Sequence, residues 1–284
     1  MYNFVKWLQQ EILLKIGEKE MVPTLSIIFM AVSCLISFGL PIGLLLYLRI
    51  SKKADLVSFF VGCAVMLVFA LILESLVHRI VFATPVGDTI LNNTLLYGLY
   101  GGLMAGVFEE TGRLLAFKTV LKKNREKDIN AVMYGAGHGG FEAIAIVGMT
   151  MINNIIWSVL INTGNMSALT EKVTGDVLTQ VEENIHQLTT LQPYMFLMGG
   201  VERIFAIVLH LALSVLVWFA VKKKGKGYLY FAAILIHMAV DALTVILSGA
   251  GIPAVALEAA VGGMALLAAI FAKAVWKRET AVLV

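Results

Sequence analysis

The chain has 284 residues, of which 59% are hydrophobic and only 14% are charged, and its mean hydropathy is +0.86. This apolar share excludes an ordinary soluble domain and predicts an integral membrane protein. The net charge of +3 does not indicate a nucleic-acid partner. The basic residues lie between apolar segments, which is where membrane proteins carry them.

The first predicted element is an amphipathic helix over residues 1–20, in which Phe4, Trp7, Leu8 and Ile12 are interleaved with charged residues. Such a helix lies in the membrane interface or stacks as a lead-in on the first span. The sequence leaves both placements open.

Seven apolar segments follow, each long enough to cross about 30 Å of hydrocarbon at about 1.5 Å per residue. Backbone polar groups must be satisfied within the lipid, which favours helices. We therefore predict an all-α, polytopic transmembrane bundle in which residues 21–284 form one membrane-embedded domain. The spans run near 24–48, 56–83, 97–119, 130–155, 194–221, 228–248 and 252–275.

The basic residues predict one orientation of this bundle. They follow spans 1, 3, 5 and 7, whereas the alternate loops are poor in lysine and arginine. The positive-inside rule then places the N-terminus outside and the C-terminus inside. The long outer loop 162–192 carries a predicted amphipathic helix near 171–190, which acts as a cap or lid or is a plain surface helix.

Ionisable side chains recur within spans 3 to 6, where lipid makes each of them costly unless it is paired or hydrated. From the predicted span ends and the helical rise, the central glutamates and histidines all lie about 12–17 Å from the cytoplasmic side. Side chains far apart in sequence thus share one depth. The layer comprises Glu109 and Glu110, His138, His210 and His237, with Asp241 one turn further out; Arg113 and Glu142 lie within a turn of it on the same helices, and Glu202 lies nearer the outer end of span 5.

The spacing within span 3 predicts different surroundings for its two glutamates. Glu109 and Glu110 point about 100° apart on a helix, so one can face a cavity while Arg113, three or four residues on, pairs with the other. A carboxylate beside a histidine is suited to act as a general base for water.

Two further pairs each consist of residues one helical turn apart, namely His138 with Glu142 and His237 with Asp241. A carboxylate in that position can fix the tautomer of an imidazole. Interhelical hydrogen bonds that only hold the bundle together are the alternative for each histidine alone. The shared depth of the whole set favours a functional site.

The order of these motifs resembles the CAAX-protease and bacteriocin-processing superfamily of intramembrane proteases. The motifs are Glu109-Glu110-x-x-Arg113, an aromatic residue four before His138, a later helix with His210, and His237-x-x-x-Asp241. Within it, the seven spans and the stretch 134–142 resemble most the YhfC group of intramembrane metalloproteases, neighbours of the PrsW site-1 proteases. The two-residue gap before Arg113, and aspartate rather than asparagine at 241, also favour the PrsW and YhfC side over the prenyl proteases.

The resemblance implies an intramembrane endopeptidase of a bacterial plasma membrane that cleaves a membrane-associated protein or peptide. It implies that Glu109 or Glu110 activates water together with His138. His237, supported by Asp241, would polarise the scissile carbonyl. His210 would be an additional ligand or proton donor, and Arg113, Glu142 and Glu202 would support the site.

The sequence leaves open whether the site binds a metal. His138, His210 and His237 with a carboxylate would make a zinc site. A His-Glu-x-x-His pair is missing, however, and a glutamate–histidine mechanism without metal, which we favour, fits the same residues.

Two other functions compete with proteolysis. A proton-coupled transporter or channel would use the same buried acids and histidines as a relay, although the sequence shows no internal repeat. A protease-like immunity or binding protein without catalysis is the other alternative. The complete set of acidic and imidazole side chains favours the enzyme.

Overall fold

A computed structural model describes residues 21–171 and 173–281, which are helical and contain no strand. The amphipathic helix predicted over 1–20 lies outside these residues. The helices are α1 Thr24–Ile50, α2 Leu56–Phe82, α3 Pro85–Leu91, α4 Thr94–Lys118, α5 Ile129–Asn162, α6 Ser167–Thr170, α7 Asp176–Thr190, α8 Pro193–Lys222, α9 Tyr228–Gly249 and α10 Ala254–Thr280.

Six of the described helices are long and apolar enough to cross a membrane, namely α1, α2, α5, α8, α9 and α10. The chain is therefore a multi-pass membrane protein. The third predicted span corresponds to α4, which has 25 residues but contains Glu109, Glu110 and Arg113 among its buried residues. These charges and several glycines lower its apolarity. The count of seven spans and the orientation stay predictions.

The described chain forms two compact units. The first consists of residues 21–32 and 150–197. There the side-chain amide of Asn162 holds the backbone of Val22 through bonds of 2.8 and 3.0 Å. The helix predicted near 171–190 is present as α7, which buries Val181 and Leu188 and starts later because Gly175 precedes it at φ +61°. A single domain over 21–284 stays a prediction.

The second unit consists of residues 33–149 and 198–281 and contains the larger core. Helix α8 supplies its centre, with Leu213, Leu216 and Trp218 fully buried. Around them pack Phe117 of α4 and Tyr134 of α5. Because α8 is apolar on most of its circumference, it is buried on most sides, as expected for an inner helix of a bundle.

Glycines bring α4 against α9 within this unit. A Cβ atom at Gly102 would lie 2.5 Å from the carbonyl oxygen of Met238, and one at Gly106 would lie 2.8 Å from that of Ile234. Small residues at spacings of four permit this approach of two backbones. The contact places the carboxylates of α4 beside His237 of α9.

Substitution of Gly102 by alanine is expected to destabilise the protein by about 1–3 kcal/mol, because the added methyl overpacks the backbone of α9. Thermal unfolding in detergent would measure this loss. Gly101→Ala is the matched control, since a Cβ atom at Gly101 meets nothing within 4 Å. Equal unfolding temperatures of the two variants would contradict this packing.

Asp55 ties the loop before α2 to the connection between α4 and α5. Its carboxylate accepts from Lys127 Nζ at 2.7 Å, from Asn130 Nδ2 at 2.8 Å and from Asn124 Nδ2 at 3.1 Å. These donors, Lys127 above all, lower the pKa of the Asp55 carboxyl from 3.8 to about 2.

The Asp55 carboxylate is expected to stabilise the fold only above acidic pH. Its folded pKa is the lower one, so its contribution is complete above 3.8 and is lost as the pH falls through about 2. Asp55→Asn should therefore cost about 1 kcal/mol at neutral pH. The difference in unfolding temperature from the wild type should shrink towards pH 2. A difference that is independent of pH would contradict this assignment.

Candidate functional site

Four helices of the second unit each contribute one ionisable side chain to a buried cluster, which we call the Glu–His cluster. These side chains are Glu109 of α4, His138 of α5, His210 of α8 and His237 of α9, and each residue is at most 6% exposed. The structure thus brings together the predicted layer of glutamate and histidines. Their burial means that each polar atom left without a hydrogen-bond partner costs free energy.

Glu109 lies at the centre of the cluster. Its Oε2 atom is 2.8 Å from Nε2 of His138, and 3.9 Å from both Nδ1 of His210 and Nε2 of His237. One carboxylate oxygen is therefore surrounded by three imidazole nitrogens. Glu109 also lines the cavity described below.

Glu110 points away from the cavity, as the 100° offset predicts. Its Oε1 atom accepts from Arg113 and from Nδ1 of His237, the latter at 2.9 Å. Both Glu110 and Arg113 are fully buried, with 0% of either side chain exposed. Arg113 therefore neutralises Glu110, and the pair orients the ring of His237.

Arg113 reaches a second member of the cluster. Its NH2 atom lies 3.2 Å from Nδ1 of His210. A guanidinium only donates hydrogen bonds, so this nitrogen of His210 is the one with a lone pair. The same imidazole then carries its proton on Nε2.

Glu142 meets His210 rather than the predicted His138. Its Oε2 atom lies 2.5 Å from Nε2 of His210, and its Oε1 atom accepts from NH1 of Arg203 at 2.6 Å. Arg203 also donates to Glu202. Glu142 pairs with His210 because its side chain reaches from α5 to α8. His138 instead directs its Nε2 to Glu109 of α4.

His237 and Asp241 are neighbours, as their spacing predicts. Nε2 of His237 lies 3.5 Å from Oδ2 of Asp241, and the Asp241 side chain is 38% exposed. Both ring nitrogens of His237 thus face carboxylates. Asp241 is the most accessible acid beside the cluster.

A cavity of about 210 Å³ adjoins the cluster. Its polar lining includes Glu109, Glu142, Arg203, His237 and Asp241. The rest is mostly apolar, with Phe205, Leu209, Val240, Val261 and Ala265 among its residues. An apolar pocket with a few convergent polar groups is the usual form of a small-molecule or peptide site.

Glycines of α5 make room for the imidazoles. A Cβ atom at Gly139 would lie 2.9 Å from Cδ2 of His210, and one at Gly135 would lie 2.9 Å from the carbonyl oxygen of His210. On the opposite side, a Cβ atom at Gly137 would lie 2.0 Å from the carbonyl oxygen of Phe59 in α2. The glycine-rich sequence around His138 therefore lets α5 pack between α2 and α8.

Glu109, His138 and His210 form a possible metal-binding group, because their donor atoms lie within 4.8 Å of one another. His237, predicted as the third histidine ligand, is not in this group within the described chain. It uses Nδ1 for Glu110 and turns Nε2 towards Asp241. Two histidines and one glutamate are a ligand set of catalytic zinc sites.

The charges around the cluster also fit a cation. Arg113 pairs with Glu110, and Arg203 pairs with Glu142 and Glu202. In the part of the chain that the structure describes, Glu109 and Asp241 form no ion pair with an arginine. Negative charge thus exceeds the arginine charge here, which favours a bound cation or protonated imidazoles.

Arg203 contacts the site, whereas the sequence interpretation placed it near the outer end of span 5 and did not count it among the site residues. It lies seven residues before His210 on α8, which places both side chains on one face two turns apart. That spacing, together with the neighbouring Glu202, was the available signal. Its partner Glu142 is on another helix, so only the structure reveals the connection.

The family model described as YhfC intramembrane metalloprotease matches residues 36–262. A relative described as "Uncharacterized membrane protein YhfC", from Bacillus subtilis (strain 168), is 38% identical over 218 residues, which cover 76% of this chain and 83% of the relative. No solved structure matches. The matched range contains every residue of the Glu–His cluster.

Proposed function

Because this chain belongs to the YhfC intramembrane metalloprotease family, we propose that it is an intramembrane endopeptidase that hydrolyses a peptide bond of a membrane protein or peptide. The observation that carries the proposal is the position of Glu109. Its Oε2 atom is buried among three imidazole nitrogens at the edge of a cavity. A placement in the wider CAAX-protease and PrsW superfamily is part of the same proposal.

The Glu–His cluster suits a metal ion, which would be held by Glu109, His138 and His210. When bound, zinc supplies a Lewis acid that activates water and polarises a carbonyl. This assignment replaces the preference for chemistry without metal, because the donor set and the surplus of negative charge both favour a cation. The sequence-based ligand set with His237 in place of Glu109 is the alternative.

His237 is placed to act on the scissile carbonyl. Glu110 fixes its Nδ1, and Arg113 keeps Glu110 charged, so that Nε2 points towards the cavity side. A proton on this nitrogen would stabilise the oxyanion that develops during attack. Glu110 itself is shielded from the cavity and therefore orients His237 rather than reacting with water.

Asp241 is the base in this scheme. If Glu109 is a ligand, Asp241 is the remaining cavity carboxylate without an arginine partner in the described structure. It would take one proton from the attacking water while the water oxygen bonds to the carbonyl carbon. It would return that proton to the leaving nitrogen when the C–N bond breaks, which leaves a carboxyl and an amine product.

The test is cleavage by the purified protein in liposomes, with transmembrane peptides as candidate substrates. We expect cleavage by the wild type, loss on chelation, restoration by zinc, and loss in Glu109→Gln. Cleavage by Glu109→Gln would contradict the site. Cleavage unaffected by chelators would return the assignment to glutamate–histidine chemistry, and proton flux without cleavage would favour a transporter.

A further inference from the structure

Among the described residues, only one of the two imidazoles in the proposed metal group has a partner on its second nitrogen. Nε2 of His210 lies 2.5 Å from Glu142, whereas Nδ1 of His138 is buried without a hydrogen-bond partner among the described residues. A ligating histidine commonly gives its other N–H to a carboxylate, which fixes the ring and makes it a better ligand. The two histidines are thus held in different ways.

The tautomer of His210 follows from its two neighbours. Arg113 approaches Nδ1 as a donor at 3.2 Å, and the Glu142 carboxylate approaches Nε2 as an acceptor. Both contacts require the neutral imidazole with its proton on Nε2. Nδ1 also lies 3.9 Å from Oε2 of Glu109, and a cation bound by these two atoms would take the lone pair in place of the Arg113 bond.

Arg203 holds the Glu142 carboxylate, which fixes the tautomer of His210. Its NH1 atom donates to Glu142 at 2.6 Å, and its side chain is only 7% exposed. It lies on the same face of α8 as His210, so both donors to Glu142 come from one rigid helix. The two carboxylate oxygens of Glu142 are thereby divided between Arg203 and His210.

We propose that Arg203 and Glu142 are positioning residues that lock His210 as a metal ligand through Nδ1. The inference rests on the proposed metal-dependent function. It gives Arg203 and Glu142 a task that does not require contact with the substrate. Glu202 shares Arg203 but does not contact His210 within the described chain, so its carboxylate has no such task.

The matched variants are Glu142→Gln and Glu202→Gln, each of which removes one carboxylate charge from Arg203. Apoprotein in detergent would be titrated with Co²⁺, and the visible absorption of the bound ion would report affinity and geometry. We expect Glu142→Gln to weaken Co²⁺ binding by about 10–100-fold and to alter the spectrum, and Glu202→Gln to bind like the wild type. Equal losses in the two variants would overturn the proposal, because a general effect of charge would then explain both.

A second measurement does not require a metal. The ¹⁵N shifts of labelled histidine, assigned with His210→Gln, should show a single Nε2–H tautomer of His210 in the wild type. In Glu142→Gln only the 3.2 Å contact with Arg113 still favours that tautomer, so a share of the Nδ1–H tautomer should appear. An unchanged tautomer in Glu142→Gln, or a wild type that binds no Co²⁺, would overturn this inference. Peptide cleavage in liposomes would still decide the proposed function independently.

Discussion

Asp241→Asn is expected to lower kcat for peptide cleavage by about 10²–10⁴-fold, the usual contribution of a general base. Asparagine has nearly the same shape and keeps an oxygen beside His237, but it cannot take a proton from water. Because Asp241 is not in the proposed metal group, Co²⁺ affinity should stay close to that of the wild type. Steady-state cleavage and Co²⁺ titration of the same preparation would measure both.

The comparison with Glu109→Gln separates a base from a ligand. That variant should lose both cleavage and tight Co²⁺ binding, whereas Asp241→Asn should lose cleavage alone. If Glu109→Gln keeps its Co²⁺ affinity and loses only turnover, Glu109 is the base. Normal turnover in Asp241→Asn would remove Asp241 from the chemistry.

Arg113→Met is expected to destabilise the protein by about 3–5 kcal/mol, because it leaves the Glu110 carboxylate buried without its charge partner. Both side chains are 0% exposed, so water cannot replace the lost partner. Methionine is unbranched and uncharged, and it keeps the packing of the apolar stem of the arginine. Unfolding in a series of denaturing detergent mixtures would measure the change.

The double variant Arg113→Met with Glu110→Gln is the control for this prediction. It removes the isolated charge and should recover much of the lost stability, since replacing both members of a buried pair is far less costly than removing one. No recovery in the double variant would show that Arg113 acts through packing rather than charge. A stable single variant would contradict the buried pair itself.

The sequence already predicted the class of protein and the depth of its site. Apolar segments of sufficient length specify helices in lipid, because every backbone polar group must be bonded within the chain. The helical rise then places Glu109, His138, His210 and His237 at one level. The bounds of α2, α8 and α9 agree with the predicted spans within two residues.

Pairs predicted within one helix are present where no other helix supplies a better partner. Glu110 with Arg113 and His237 with Asp241 are such pairs, and both are present. The pairing of His138 with Glu142 was expected on the same grounds. It does not form, because Glu109 and His210 approach these side chains from neighbouring helices.

By itself, then, the sequence determined which residues are buried at the same depth, since helix length and rise depend only on local backbone geometry. The tertiary structure decided which of them meet, because the rotation of each helix about its axis depends on contacts far apart in the chain. Gly102 against Met238 and Gly139 against His210 are such contacts. With the helices packed in this way, Glu109 faces three imidazoles and Arg203 contacts Glu142. Residue spacing along a single helix does not reveal either contact.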